Sequence, residues 1–425
     1  MERGEKMLKE FKVKNFKSFK DEQVFSLEAM NRQEPNLDYF NIAQIGSQRI
    51  LKSAAIYGHN SYGKSNLFKA VGKMLQIIKL CINSDYIIEV DNFKLDNFSI
   101  NEPTMFEITF VQNEITYRYG FEILKNLVTK EWLYKTKKRE VKIFERKNQK
   151  NNSIELSSKY KKIEKYKEFT KESELFLSSM EKNNISGEIR DVYNFLVNNI
   201  KVFSAEDMVS TITSEMVINK TVSLPQIISA LKNADLGISN LEIKKEEQNL
   251  EEVPEFIKSI VKFGVKDKIS DGKIYSTYEN IKHNIFSKDG KNIGEINFEL
   301  NENESEGTKK LYSVIGPILN SINKGQVLFI DELDSKLHHF IVKYIVELFN
   351  NNDINLKNAQ LIFNTHDFYL LKEEIFRRDQ IYFVDKDSQG RSNLYSLGDF
   401  KGIDKKSNLL AHYLLGHFGA IGNIN

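Results

Sequence analysis

The opening segment of the chain alternates hydrophobic with polar positions in the way that β-strands do. Apolar side chains recur among lysines and serines over residues 11–19, and a short apolar run follows at residues 24–27. The recurring positions are Phe11, Val13, Phe16 and Phe19. This spacing predicts a short antiparallel hairpin.

A second pattern begins near residue 54, where an apolar run, Ala-Ala-Ile-Tyr, leads directly into Gly58. From Asn66 to Leu80 the apolar side chains return at helical intervals, at Leu67, Ala70, Val71, Met74 and Ile78. The pattern therefore predicts a strand, a glycine loop and a helix in succession.

The middle of the chain has two segments with different patterns of apolar residues. Residues 105–147 alternate again, which predicts a β-meander. From about residue 147 to 297 the composition shifts to Lys, Glu, Asn and Ser, with apolar residues at helical intervals as in 188–203 and 224–236. We interpret this stretch as mainly helical, and its mixed charge runs as solvated helix faces.

After residue 296 the chain returns to a globular pattern. Short apolar strands at 327–330, 361–364 and 381–384 are separated by helical stretches. That alternation is typical of a parallel sheet, so the expected fold class is α/β.

Composition narrows the possible functions. The 425 residues are 40% hydrophobic with 5 prolines, as expected of a folded chain with a substantial core. The single cysteine, Cys81, excludes an internal disulfide and a thiolate metal cluster. With 61 basic and 59 acidic residues the net charge is +2, so any DNA contact would need a local basic patch. Long apolar runs are missing and the first 20 residues are charged, so we expect a cytoplasmic protein without a membrane partner.

The segment Gly58-His-Asn-Ser-Tyr-Gly63-Lys64-Ser65 matches the phosphate-binding pattern GxxxxGK[ST], between the predicted strand and helix. The glycines allow the backbone NH groups to point at phosphate oxygens, and the helix N-terminus adds partial positive charge. Lys64 would reach the phosphates, and the Ser65 hydroxyl would bind Mg²⁺.

Two further strands end in chemically active side chains. The apolar run 327–330 ends in Asp331 and Glu332, and ligands of α/β sheets bind at this edge of a strand. There Asp331 would bind Mg²⁺ and Glu332 would polarise a water molecule. The run 361–363 leads to Asn364-Thr365-His366-Asp367.

A helix is predicted to begin at Ser305-Glu306-Gly307-Thr308, about 20 residues before the acidic strand. Ser305 is placed as its N-cap, and Gly307 leaves the backbone open to a phosphate.

Together these segments resemble the Walker A, signature, Walker B with D-loop, and H-loop motifs of ATP-binding-cassette (ABC) ATPases, in the branch of the chromosome-maintenance and RecF-type ATPases. Residues 13–19 resemble the first strand of that branch. More narrowly, residues 304–311, 378–383 and 413–421 resemble the bacterial AAA-type ATP-binding proteins of abortive-infection and phage-defence operons. The likeness covers roughly residues 1–125 and 296–425.

The resemblance implies an ABC-type ATPase head made of residues 1–128 and 296–425, interrupted by a mainly helical insertion, 129–295. It implies a homodimer or higher homo-oligomer with ATP and Mg²⁺ at the subunit interfaces. One copy would bind the nucleotide through its phosphate loop, and Ser305 of a second copy would close on the γ-phosphate. The nucleotide-binding residues implied are Gly58, Asn60, Gly63, Lys64, Ser65, Asn66, Ser305, Gly307 and the D-loop residue Asp334. Ser65 and Asp331 would bind the metal, Glu332 would act on the attacking water, and His366 would contact the γ-phosphate.

Two departures from the ABC pattern affect this interpretation. Glu306 and Thr308 occupy signature positions where transporters usually have Gly and Gln. A Q-loop is not evident: Gln112 is a candidate, and the alternative is a residue of a surface turn.

The resemblance implies an ATP-hydrolysing sensor or switch in bacterial antiphage defence, working with a separately encoded effector, a nuclease or toxin. The alternative is a DNA-repair or chromosome-maintenance ATPase that binds DNA ends, with lysine clusters such as 135–139 and 159–162 on the phosphate backbone. A transporter subunit is disfavoured by the long separation of Ser65 from Ser305. We expect the insertion to be the recognition surface for a partner.

Overall fold

The chain folds into two compact units, and each is formed from separate stretches of sequence. The computed structural model describes residues 5–83, 85–147, 154–234, 236–249, 269–270, 273–402 and 408–420. The first unit takes in Met1–Glu206, Ser321–Ser335 and Val342–Asn425, and the second takes in Asp207–Asn320 and Lys336–Ile341. The phosphate-loop segment and the acidic strand therefore belong to the same unit.

The strands, in chain order, are β1 (Lys6–Lys14), β2 (Gln23–Ser26), β3 (Ile42–Ile45), β4 (Gln48–Leu51), β5 (Ser53–Tyr57), β6 (Thr104–Gln112), β7 (Ile115–Leu124), β8 (Leu127–Thr136), β9 (Glu140–Lys147), β10 (Ile154–Leu156), β11 (Ile200–Ser204), β12 (Ile238–Asn249), β13 (Ile269–Ser270), β14 (Lys273–Phe286), β15 (Asn292–Glu299), β16 (Val327–Asp331), β17 (Gln360–Asn364), β18 (Ile381–Lys386) and β19 (Ser392–Ser396).

The α-helices are α1 (Pro35–Asn41), α2 (Lys64–Leu80), α3 (Phe176–Lys182), α4 (Glu188–Asn194), α5 (Ser210–Ile218), α6 (Leu224–Asn233), α7 (Leu300–Asn303), α8 (Glu306–Lys324), α9 (His339–Asn350) and α10 (Leu409–Leu414).

A seven-stranded antiparallel sheet forms one layer of the first unit, in the order β10-β9-β8-β7-β6-β1-β2. It contains the predicted N-terminal hairpin, β1 with β2, and the predicted meander, β6 to β9. Every residue of β6 is buried, because this strand is covered on both faces. Both sequence predictions are confirmed.

The second sheet of this unit has the order β11-β16-β17-β5-β18-β19, in which all pairs but the last are parallel. Its central strands are continuous apolar runs, as expected of strands covered on both faces. Helix α2 packs on this sheet through Phe68, whose ring centroid lies 5.8 Å from that of Phe329 in β16. The expected α/β fold class is confirmed.

The sequence predicts that residues 129–206 belong to a separate, mainly helical insertion. That prediction is wrong. Strands β8 to β10 extend the meander, and the helices after them pack on it. The fully buried carboxylate of Glu131 in β8 accepts hydrogen bonds from the amides of Phe176 and Leu177, at 2.6 and 3.0 Å. A carboxylate at a helix N-terminus satisfies amides that have no partner within the helix, so α3 is fastened to the sheet.

The second unit contains a sheet where helices were expected. Helix α6 is confirmed close to its predicted position, and Ser223 caps it. Strands β12, β14 and β15 are antiparallel neighbours, with β14 in the middle. Six of the eight residues of β15 are exposed, including Ile293 and Ile296, so this strand does not bury one apolar face. The mainly helical interpretation is wrong for residues 238–295 in their described part.

Within the described ranges, every helix is too short or too polar to span a lipid bilayer.

Candidate active site

The loop from Gly58 to Gly63 joins the buried strand β5 to helix α2. Gly58 and Gly63 have φ angles of +153° and +112°, which side chains rarely permit. A Cβ atom would lie 2.5 Å from the Val384 carbonyl oxygen at Gly58, and 2.5 Å from Ser392 Oγ at Gly63. Both glycines are therefore required by the backbone and by its close neighbours. Asn60 is exposed in this loop.

Lys64 is the first residue of α2, and its ammonium group lies beneath the loop. Its Nζ donates to the Gly58 carbonyl oxygen at 2.7 Å. Burial lowers the pKa of Lys64 to about 8, although the nearby carboxylates of Asp334, Glu332 and Asp331 act in the opposite direction. The structure therefore brings the predicted lysine and the three predicted carboxylates together.

Ser65 and Asn66 are half-buried in the first turn of α2. Asn66 Nδ2 donates to Ser18 Oγ at 2.7 Å, and Ser392 Oγ donates to the Tyr62 carbonyl oxygen at 2.5 Å. Ser18 and Ser392 are linked in turn by a backbone hydrogen bond of 2.8 Å. These two serines therefore hold the loop in position. Neither serine is predicted from the sequence as part of the site.

Asp331 and Glu332 leave β16 at the same edge of the sheet as the loop. Glu332 has a φ angle of +59°, a left-handed conformation that is uncommon for a residue with a side chain. Asn364, at the end of β17, donates through Nδ2 to Asp331 Oδ1 and accepts through Oδ1 from the Glu332 amide. Asn364 therefore fixes both acidic residues.

The pKa of the Glu332 carboxyl is raised, first by burial and then by the negative charges of Asp331, Glu206 and Asp334. Glu206 follows β11, the parallel neighbour of β16, in which Ser204 lies opposite Asp331. Glu206 is not among the residues predicted from the sequence, although the apolar segment 200–203 leads to this acidic residue and offered a signal for it.

Asp334 and His366 meet beside this carboxylate cluster. The His366 amide donates to Asp334 Oδ2 at 2.9 Å, whereas Asp334 Oδ1 is a buried atom without a hydrogen-bond partner in the structure. The pKa of His366 is lowered by burial and by the nearby Lys64 ammonium. Its imidazole is therefore mostly neutral at pH 7 and can act as a hydrogen-bond donor or acceptor.

Ser305 and Gly307 belong to the second unit, where they form the start of α8. Ser305 Oγ accepts from the Thr308 amide at 3.1 Å, which confirms Ser305 as the N-cap. Glu306 pairs with Lys309 at 3.2 Å and with Lys336 at 3.0 Å. A Cβ atom at Gly307 would meet nothing closer than the Lys336 carbonyl oxygen, at 3.5 Å. Ser305 is exposed at this helix end.

Gln112 does not lie in a surface turn. It is the buried last residue of β6, paired with Lys6 and Ile115. The surface-turn interpretation of Gln112 is therefore wrong. The assignment of Gln112 as a Q-loop residue stays a prediction.

The residues at the sheet edge fit a magnesium nucleotide by their chemistry. The Ser65 hydroxyl and the Asp331 carboxylate are oxygen ligands, which Mg²⁺ prefers, and phosphate oxygens and water usually complete its shell. Among the described residues there is no group of three His, Cys, Asp or Glu that could hold a metal by itself. This donor set suits a metal that arrives with phosphates. It does not suit one held in a cage of protein side chains.

Two solved structures resemble the chain at low sequence identity. The SMC head domain from Thermotoga maritima is 14% identical, with a TM-score of 0.42, and the match covers 92% of this chain and 98% of that one. The recombination mediator protein RecF with ATP, of the RecFOR pathway, is 13% identical, with a TM-score of 0.31, and the match covers 85% of this chain and 94% of that one. The search of curated proteins gave no match.

A protein-family comparison covers most of the chain. Residues 53–372 match the family described as "AAA domain, putative AbiEii toxin, Type IV TA system". The match begins at β5, immediately before the phosphate loop, and extends past β17 and His366, so all of the predicted site residues fall within it. The chain therefore belongs to this AAA-domain family.

Proposed function

We propose that this protein is an ATP-binding and ATP-hydrolysing switch. The observation that supports this most strongly is the convergence of the phosphate loop, Asp331, Glu332, Asp334 and His366 at one edge of the parallel sheet. Lys64 lies among these groups, and its Nζ donates to carbonyl oxygens, at 2.7 Å from Gly58 and 3.4 Å from His59. Phosphate oxygens can replace those carbonyls without any change in the fold.

In the proposed mechanism each side chain has a separate task. Lys64 exchanges the Gly58 carbonyl for a phosphate oxygen, and the backbone amides of the loop bind further phosphate oxygens. Ser65 and Asp331 would hold Mg²⁺, and the bound ion would neutralise charge on the phosphates. Glu332, with its raised pKa, orients and deprotonates the attacking water, and the neutral His366 binds the γ-phosphate.

We further propose that the complete site requires two copies of the chain. Ser305 is exposed at the N-terminus of α8, and together with Gly307 it presents backbone and hydroxyl donors suited to a phosphate. The signature resemblance assigns these donors to the nucleotide of a second copy. ATP would then join the two copies, and hydrolysis would release them.

The biological role we propose is a sensor or switch in bacterial antiphage defence, with toxic or cleaving activity supplied by a separately encoded effector. The family description and the resemblance to abortive-infection ATPases support this. Among the described residues, the functional side chains that we recognise all serve the proposed nucleotide site, which is why the effector is placed on another protein.

DNA binding is the second candidate role, and one observation favours it. The β8–β9 turn exposes Lys137, Lys138 and Arg139. Lys135, the fourth cation of this cluster, is instead paired with Glu188 at 2.8 Å. A DNA role predicts binding that weakens steeply with salt and is lost when the three exposed cations are neutralised.

A mixing experiment tests the two-copy site. Lys64→Ala removes the phosphate lysine, and Ser305→Arg blocks the signature end, so each variant alone should release no phosphate from ATP. Mixing them creates pairs in which one site combines an intact loop with an intact signature, and part of the wild-type turnover should return. If mixing restores nothing while the wild-type protein is active, the site is complete within one copy.

A further inference from the structure

The middle strand of the second unit's sheet contacts the signature segment. His283 in β14 places its Nε2 2.6 Å from Oε1 of Glu304, the residue immediately before Ser305. The Glu304 side chain is 8% exposed and that of His283 21%, so the contact is largely shielded from water. No sequence pattern predicts that these two residues form a pair.

Both ring nitrogens of His283 have a polar neighbour. Nδ1 lies 3.1 Å from the carbonyl oxygen of Gly237, and Nε2 faces the Glu304 carboxyl group. A hydrogen bond between an imidazole and a carboxyl group is short and strong when one partner is charged, which fits the 2.6 Å separation. The ring is therefore oriented by contacts at both nitrogens.

The histidine itself is rigidly held. In β14 it lies opposite Ile238 of β12 and Ile296 of β15, and its ring centroid is 5.1 Å from that of Phe298. A strand paired on both sides cannot easily shift along its neighbours. Glu304 is therefore bound to a fixed point of the sheet.

The same strand is linked to α8 about two turns further along, through α5. Glu279 in β14 accepts a hydrogen bond from Ser214 Oγ of α5, which lies 2.9 Å from the hydroxyl of Tyr312 in α8. These three polar groups are buried. Strand β14 is thus connected to the body of the signature helix through Ser214 and, through His283, to the residue that leads into its N-cap.

We propose that His283 is a positioning residue for the signature Ser305 and acts through Glu304. Ser305 Oγ accepts from Thr308, and Ser305 O accepts from Lys309, so the direction in which the chain enters this cap determines where the Ser305 hydroxyl and the Gly307 amide point. Glu304 sets that direction while its carboxylate is bound to His283. This inference rests on the proposed function of Ser305 at a nucleotide.

Four variants test the pair. His283→Ala and Glu304→Ala break it, whereas Glu304→Gln keeps it, because a side-chain amide can either donate to Nε2 or accept from it. Lys282→Ala is the matched control, since its side chain lies on the opposite face of the same strand. Hydrogen exchange without nucleotide should show lost protection of the Thr308 and Lys309 amides in the two alanine variants only.

The functional test compares the effect of each variant on kcat with its effect on ATP affinity. His283→Ala and Glu304→Ala should lower kcat about tenfold or more, since small misplacements of a catalytic group are costly. ATP affinity, which depends on Lys64 of the other unit, should not change. Glu304→Gln should restore turnover.

Three results would each overturn the proposal. The first is unchanged exchange at Thr308 and Lys309 in His283→Ala, and the second is Glu304→Gln behaving like Glu304→Ala. The third is an altered exchange pattern with wild-type kcat. Failure of the proposed function is separable, because it appears as absent ATP turnover in the wild-type protein, whereas the exchange experiment needs no nucleotide.

Discussion

Asn364 and Asp331 lie at the ends of adjacent parallel strands and are joined by a side-chain hydrogen bond, in which Asn364 Nδ2 donates to Asp331 Oδ1. The other end of the same amide accepts from the backbone of Glu332. One asparagine therefore orients the proposed metal ligand and the proposed base.

Replacing this asparagine should impair catalysis more than nucleotide binding. Asn364→Ala leaves the Asp331 carboxylate and the Glu332 amide without their partner, and loss of such supporting groups typically costs about 10- to 100-fold in activity or metal affinity. We expect this loss in phosphate release, with a higher Mg²⁺ requirement. Wild-type turnover at low Mg²⁺ in the variant would show that the bond has no functional role.

Glu332→Gln should separate ATP binding from hydrolysis. The amide cannot accept a proton from water, which costs roughly 10² to 10⁴ in rate, whereas the phosphate loop is unchanged. The variant should therefore accumulate as an ATP-bound assembly, detected by light scattering with and without ATP. A variant that stays monomeric in ATP would argue against nucleotide-driven association.

Replacing Glu206 should shift the acidic limb of the pH profile. Its negative charge helps to raise the pKa of Glu332, so Glu206→Gln should lower that pKa. A base loses activity when it is protonated, and the fall of kcat on acidification should therefore move to lower pH. Glu206→Asp keeps the charge and serves as the control. A limb that moves to higher pH, or stays in place in both variants, contradicts the assignment of Glu332 as the base.

The buried ammonium group of Lys64 should lower the free energy of unfolding of the protein. Burial lowers its pKa from 10.5 to about 8, so between these values the folded protein binds fewer protons than the unfolded chain. Stability should therefore rise with pH across this window, and the charged lysine is unfavourable below it. Lys64→Met should stabilise the protein by about 1 kcal/mol at pH 7. Thermal unfolding measures this, and a less stable variant would show that its hydrogen bond to Gly58 outweighs burial.

The sequence predicted the parts of the site that follow one another along the chain. The buried strands that lead into Gly58 and Asp331 can be predicted from the sequence, because strands covered on both faces are continuously apolar. The contributions of Asn364 and Glu206 depend on the strand order β11-β16-β17, which brings together residues far apart in sequence. That order is set by tertiary packing, and no local pattern encodes it.

The sheet of the second unit is not predicted from the sequence, for a different reason. Strand β15 exposes most of its residues, and β14 carries charged and amide side chains such as Glu279, Lys282 and His283. The few apolar positions of these strands are interspersed with charged and amide side chains, so the composition resembles that of a solvated helix. The pairing of His283 with Glu304 could not be predicted without that sheet.

Titration of Mg·ATP by calorimetry tests the role of Lys64 in nucleotide binding most directly. Lys69→Ala is the matched control, because this exposed lysine lies on the same helix. We predict equal affinity in the wild-type protein and in Lys69→Ala, and no measurable binding in Lys64→Ala. Wild-type affinity in Lys64→Ala, or no binding by the wild-type protein, would contradict the assignment of the loop as a nucleotide site.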